Sequence, residues 1–147
     1  MSVSQSIEMT PLENLDSLME LLRAEGLPHV DLGEPEREFW QLQKGGCVVG
    51  YVGVEGATAD RLLRSFVVSP SHRRGGLGTE ALTLLETLLV SRGVQSLHLL
   101  TTTAAPFFLR HGFESLDRAK APNAIQQSLE FRSLCPSTAS YLAKRLP

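Results

Sequence analysis

The stretch V-V-S-P-S-H-R-R-G-G-L-G-T-E-A, Val67 to Ala81, decides how the rest of the chain is read. It ends a nearly unbroken apolar run, Leu62 to Val68, which predicts a strand buried on both faces. It leads into Thr79 to Arg92, where Leu82, Leu85, Leu88 and Leu89 recur at helical spacing and Gly93 supplies a stop. The glycines therefore fall in a strand-to-helix turn. Such a turn aims backbone N–H groups at one point, and the helix dipole adds positive potential there. Phosphate or pyrophosphate is the natural guest. Gly75, Gly76 and Gly78 keep side chains out of its way. A tight turn that is glycine-rich for conformational reasons alone is the alternative.

Working outward, Val94 to Leu100 predicts a strand that ends in Thr101-Thr102-Thr103, and strand–helix–strand makes a crossover between parallel strands. Upstream, Glu38 to Gln43 and Cys47 to Val54 flank Gly45-Gly46 and read as a hairpin. Thr10-Pro11-Leu12-Glu13 has the form of a capping box with proline at the first helical position. Leu12, Leu15, Leu18, Met19 and Leu22 continue it as a helix, after a short strand in Val3 to Met9. Downstream, Phe107 to His111 predicts a short helix, Phe113 to Leu116 a strand, Pro122 to Phe131 a helix and Ala139 to Leu142 a last strand. No repeat or linker divides residues 1–147, so the expectation is one α/β (α+β) domain with a mixed central sheet and flanking helices.

Composition narrows the function classes. The 147 residues are 42% hydrophobic and 20% charged, enough to build one core. A net charge of -2 offers no basic field for nucleic acid or an anionic membrane. No apolar stretch approaches the roughly 20 residues of a membrane span, and the N-terminus lacks the features of a signal peptide. Two cysteines, Cys47 and Cys135, form neither a disulfide framework nor a metal pattern. The expectation is a cytoplasmic protein without a metal.

Three phosphate-binding patterns compete for the turn. A P-loop requires a Gly-Lys pair that is absent. The dinucleotide pattern G-x-G-x-x-G/A fits Gly76, Gly78 and Ala81, but Thr101 to Thr103 stand where it needs an acid. The pattern [RQ]-x-x-G-x-[GA] fits Arg73, Gly76 and Gly78. It is the coenzyme A pyrophosphate loop of the GNAT N-acetyltransferases, and the sequence resembles that family over nearly its whole length. F-V-V-S-P resembles the family's fourth strand, whose splayed backbone pairs with pantetheine. Ala104 to Phe113, A-A-P-F-F-L-R-H-G-F, resembles its A-x-x-L-Y-x-x-x-G-F helix. L-L-R-S-F-V-V, L-L-T-T-T-A-A-P-F-F and A-P-N-A-I followed by L-C-P-S resemble a small branch associated with arsenic resistance. The first two also resemble the acetyltransferase domain of N-acetylglutamate synthases.

The resemblance implies a mixed sheet with a splayed strand pair. It also implies acetyl-CoA as co-substrate and direct acetyl transfer to a small amine, an amino acid or analogue, an arsenical included. Cofactor contacts would come from Phe66, Val67 and Val68, from Arg73, Arg74, Gly75, Gly76, Leu77, Gly78 and Thr79, and from Phe108. The Val68 N–H would polarise the thioester carbonyl. Phe108 occupies the position of the family's acid tyrosine, and a phenyl ring donates no proton. That departure encourages the alternative of a non-catalytic acyl-CoA-binding or regulatory protein. Glu55 is the candidate base, or else a solvated loop carboxylate.

Arg64 interrupts an apolar strand and needs an anionic partner. Strict alternation sets Leu62, Arg64, Phe66 and Val68 on one face. Arg64 then either grips the acceptor's carboxylate, with Thr101 and Thr102 beside it, or forms an internal salt bridge. His98 reads as structural, His72 as shaping the loop, and Cys47 as a buried small hydrophobe. No nucleic acid or membrane partner is expected, and a homodimer is compatible with the reading.

Overall fold

The computed structural model describes residues 7–69, 76–134 and 138–147. Among them the strands are β1 (Glu8–Pro11), β2 (Arg37–Lys44), β3 (Cys47–Glu55), β4 (Asp60–Val68), β5 (Ser96–Thr101), β6 (Glu114–Leu116) and β7 (Ser140–Arg145). The helices are α1 (Asp16–Ala24), α2 (Leu77–Ser91), α3 (Ala105–Arg110) and α4 (Asn123–Gln126). The strands form one mixed sheet in the order β1-β2-β3-β4-β5-β7-β6. As expected, α2 crosses between two parallel strands, β4 and β5. Every other neighbouring pair is antiparallel.

Pleating sends alternate residues to opposite faces. On one face Leu82, Leu85 and Leu89 of α2 meet Trp40, Leu42, Val52, Leu97 and Leu142. On the other, Leu18 and Leu22 of α1 meet Phe39, Tyr51 and Val67. Farther along that second face, Ala121 and Ile125 cover Leu62 and Tyr141. Gly45 and Gly46, at φ 58° and 81°, close the expected hairpin in the left-handed conformation that a two-residue turn requires.

Four local expectations are corrected. The Thr10 capping box does not form, because Pro11 lies opposite Trp40 and the Leu12 N–H donates to the Phe39 carbonyl at 2.9 Å. Proline is tolerated there because β1 is an edge strand. α1 instead begins at Asp16, whose N–H donates to Asn14 Oδ1 at 2.9 Å. Pro122 to Phe131 is not one helix: α4 spans four residues, and a π-helical turn follows over Glu130–Leu134. Cys47 is exposed: it pairs with Lys44 beside the two-glycine turn, at the exposed start of β3.

The fourth correction concerns the face of Arg64. Tyr51 pairs with Val67 but Gly53 with Arg64, so Ser65 and Phe66 together oppose Val52. This is a β-bulge, and Ser65 carries it at φ 54°. Alternation reverses across the bulge. Arg64 and Val67 face α1, whereas Phe66 and Val68 pack against the α2 side.

Candidate active site

β4 and β5 are paired only from Asp60–Ser96 to Leu62–His98. Beyond Leu62 they diverge, and the gap opens into a cavity of about 600 Å³. One wall is Leu63 to Val68, the other Leu99 to Ala104, and residues 25–30 form the roof. Phe66, Val67, Val68, Thr101, Thr102 and Phe108 all line this cavity. Phe108 is buried and meets Phe66 and Phe107 edge-on, with ring centroids 6.0 and 5.1 Å apart. Thr101 Oγ1 accepts the Ala104 N–H at 2.9 Å and so fixes the turn into α3.

The N-terminus of α2 lies beside one wall of this cavity, since a Cβ on Gly78 would stand 3.9 Å from the Phe66 ring. Gly76 is its N-cap, at φ +74°, a conformation that a side chain strains. Gly78 has a further reason to be glycine: a Cβ there would stand 3.2 Å from the Phe107 ring. Leu77 points its side chain into the core. The Phe107 carbonyl accepts from His111 Nδ1 at 2.7 Å, and His111 Nε2 lies 3.0 Å from the Thr79 hydroxyl. Arg73, Arg74, Gly75, His72 and Cys135 lie outside the described residues.

Arg64 is 4% exposed and held in a dense ion-pair cluster. Its Nη2 donates to Asp31 Oδ1 at 2.7 Å while Nη1 donates to Asp31 Oδ2, a two-pronged pair. Nη1 also reaches Glu55 Oε1 at 3.1 Å, Nη2 the Pro28 carbonyl at 3.4 Å, and Nε lies 3.3 Å from Glu130 Oε2. Arg37 adds a second guanidinium, 2.9 Å from Asp31 and 3.5 Å from Glu55. Burial alone would lower the Arg64 pKa, but the hydrogen bonds and charges of these carboxylates raise it above the ordinary arginine value. Burial likewise pushes the Asp31 carboxyl up, and the Arg64 and Arg37 contacts outweigh it to leave it below the usual range.

Every Arg64 nitrogen has a protein acceptor, which is the internal salt bridge, one of the two readings of this residue. Glu55 is neither solvated nor among the cavity-lining residues; it is 8% exposed and turned toward two guanidiniums. The residues missed from sequence are Asp31 and Glu130, both buried. The sequence marks only their burial, since each acid is flanked by apolar neighbours, Val30 and Leu32 or Leu129 and Phe131, and not their partner.

His98 is structural, as its setting in a strand suggested. Ser96 Oγ lies 2.5 Å from Asp60 Oδ1 and 2.7 Å from His98 Nε2, and His98 Nδ1 lies 2.7 Å from the Tyr141 hydroxyl. The short contact between oxygens takes the serine proton to Asp60. His98 then donates from Nε2 and accepts the Tyr141 proton at Nδ1. Burial lowers the His98 pKa against the opposing pull of Asp60, and burial followed by the Asp60 charge raises that of Tyr141.

Comparison with known proteins agrees with this architecture. The model of the acetyltransferase (GNAT) family matches residues 6–113. An amino-acid acetyltransferase of Pseudomonas fluorescens (strain Pf0-1) is 39% identical over 64 residues, 42% of this chain and 15% of that protein. An N-acetylglutamate synthase from Neisseria gonorrhoeae, solved with coenzyme A and N-acetyl-glutamate, superposes with a TM-score of 0.75 at 18% identity. That match covers 100% of this chain and 36% of that one. Tetrahymena GCN5 superposes equally well, with a TM-score of 0.75 at 14% identity over 95% of this chain and 96% of that one. The chain thus spans only a fraction of the two amino-acid acetylating relatives, and the two structural likenesses concern the fold. With the family model matching residues 6–113, most of the sequence, the chain belongs to the acetyltransferase (GNAT) family.

Proposed function

We propose that this protein is a cytoplasmic enzyme that transfers the acetyl group of acetyl-CoA directly to the amino group of a small molecule bound between β4 and β5. The observation that carries the reading is the splayed strand pair, whose cavity is lined by Phe66, the ring that a Cβ on Gly78 in the first turn of α2 would approach to 3.9 Å. Residues 73–79 hold the pyrophosphate in this reading, and the Phe66 to Val68 backbone follows the pantetheine arm. The Val68 N–H faces the thioester oxygen, where negative charge develops as the neutral amine attacks the carbonyl carbon and then gives up its proton to water. Phe108, with no proton to give, packs against the donor, and coenzyme A departs as a thiolate, which the ordinary thiol pKa near 8.5 permits. Thr101 and Thr102 border the acceptor.

The 39% match to an amino-acid acetyltransferase supports amino acids and their analogues as the first acceptors to test, and arsenicals join the panel on the sequence resemblance alone. Nucleic acid and membrane have no part in this reading, and self-association to a homodimer is compatible with it. The test is incubation with acetyl-CoA and a panel of amino acids and short alkylamines, with free-thiol release and acetylated product both measured. Amine-dependent thiol release supports the proposal. Tight acetyl-CoA binding with no product from any amine would instead support a non-catalytic acyl-CoA-binding protein.

A further inference from the structure

Acetyl transfer leaves one proton to place, because the amine that attacks the thioester must shed an N–H proton before the amide forms. Glu55 does not line the cavity, so the proton acceptor has to come from elsewhere. Among the described residues that do line it, the side chains with a basic site are Glu25, His29 and Glu130. Glu130 lies 3.3 Å from Arg64 Nε inside the ion-pair cluster, and Glu25 has contacts of its own. His29 is placed differently. Its Nδ1 lies 3.1 Å from the Leu27 carbonyl oxygen, and a carbonyl only accepts, so Nδ1 carries the hydrogen. In the neutral ring Nε2 then holds a lone pair, and no other described residue engages it.

The segment that carries His29 is fixed on both sides. Before it, the Gly26 N–H donates to the Arg23 carbonyl at 3.2 Å and the Leu27 N–H to the Leu22 carbonyl at 2.8 Å, which closes α1. Pro28 restricts the backbone immediately ahead of the histidine, and its carbonyl accepts from Arg64 Nη2 at 3.4 Å. Two residues beyond His29, Asp31 accepts from the same guanidinium and from Arg37. The ion-pair cluster thus pins the roof on either side of the ring. The roof follows α1, which packs on the sheet face opposite α2, so it covers the cavity from the side away from the pyrophosphate turn. His29 is half-buried and its neighbour Val30 is 75% exposed, so the roof also borders solvent.

We propose that His29 is the general base of the transfer: its Nε2 takes up, through the water that first receives it, the proton released by the attacking amine. This rests on the acetyltransferase reading above. As the tetrahedral adduct collapses, its N–H bond breaks, a proton passes across the water and an Nε2–H bond forms. The electron pair of the carbon–sulfur bond leaves with the coenzyme A thiolate. The imidazolium then returns its proton to solvent at the outer edge of the roof before the next turnover.

The experiment compares wild type, His29→Gln and His29→Ala with the panel of amino acids and short alkylamines, using acetyl-CoA binding by calorimetry to confirm that each variant is folded. His29→Gln keeps an N–H for the Leu27 carbonyl and loses the base. Its kcat with the best acceptor should fall about a hundredfold or more, while the KM for acetyl-CoA changes less than about twofold. The loss should grow with the basicity of the amine, because the adduct of a weakly basic amine gives up its proton to water unaided. Imidazole added to His29→Ala should restore part of the turnover. Wild-type kcat in a folded His29→Gln variant, or a loss equal for every amine and unmoved by imidazole, would overturn this proposal alone. No transfer by the wild type to any amine would overturn the acetyltransferase reading and this proposal with it.

Discussion

Arg64 shows how one residue commits the chain. A guanidinium in an apolar strand is tolerable only with its charge and donors met, and Asp31, Glu55 and Glu130 come from three separate segments to meet them. Removing one partner leaves buried charge uncompensated, which costs about 3–5 kcal/mol. Arg64→Ala and Asp31→Asn should each lose stability of that order in urea denaturation. Their double mutant should lose much less than the sum, because the two act through one contact. Arg64→Lys should recover only part, since an ammonium cannot form the two-pronged pair. Phe108→Tyr addresses the missing acid: the ring is buried among Phe66, Phe107 and Phe113, so the added hydroxyl has the cavity as its outlet. Turnover should change less than tenfold, about 1.4 kcal/mol in barrier, if thiolate protonation does not limit the reaction.

β4 is the element on which the site depends, and its shape is set from β3. A Cβ on Gly50 would fall 2.3 Å from the Val67 carbonyl oxygen, and one on Gly53 would fall 2.6 Å from the Phe39 ring. Gly50→Ala must therefore push away the part of β4 that lines the cavity. Weaker acetyl-CoA binding by calorimetry, by tenfold or more, is the expected result, with a smaller effect from a glycine change at the exposed Gly33, where a Cβ meets nothing within 4 Å. Much of this element was legible in sequence: an apolar run, a glycine-rich turn and a leucine-spaced helix fix strand, crossover and parallel pairing with local information. The bulge at Ser65 was not, since it arises from register against β3, and its one-residue offset turned Phe66 and Val68 away from Arg64. The Thr10 box failed for a similar reason, as pairing with β2 outcompeted a local helix start. Asp31 and Glu130 lie 33 and 66 positions from Arg64, and nothing local announces contacts at that separation.

The same sheet face carries two polar systems, the Arg64 cluster and the Asp60–Ser96–His98–Tyr141 chain, with Leu62, Ile125 and Phe131 between them. They give the whole molecule its pH dependence. The folded His98 stays neutral below its ordinary pKa of 6.5, so the unfolded chain binds the extra proton first. Stability should be complete above about pH 6.5 and fall as acid is added, until His98 protonates in the fold. His98→Gln should flatten that slope in pH-dependent urea midpoints. Asp31, held below its ordinary 3.8, adds a second decline at more acid pH. The polar chain also provides an internal control for the location of donor binding, because it borders a separate, shallower cavity with Lys120 and Lys144. Amide hydrogen exchange with and without acetyl-CoA tests the central claim most directly. Protection should rise at Phe66 to Val68 and Gly76 to Thr79 and stay unchanged at Asp60 to Leu62, where β4 is already paired with β5. Protection confined to the Asp60–Tyr141 side, with the splayed segment and the α2 N-terminus unaffected, would contradict it.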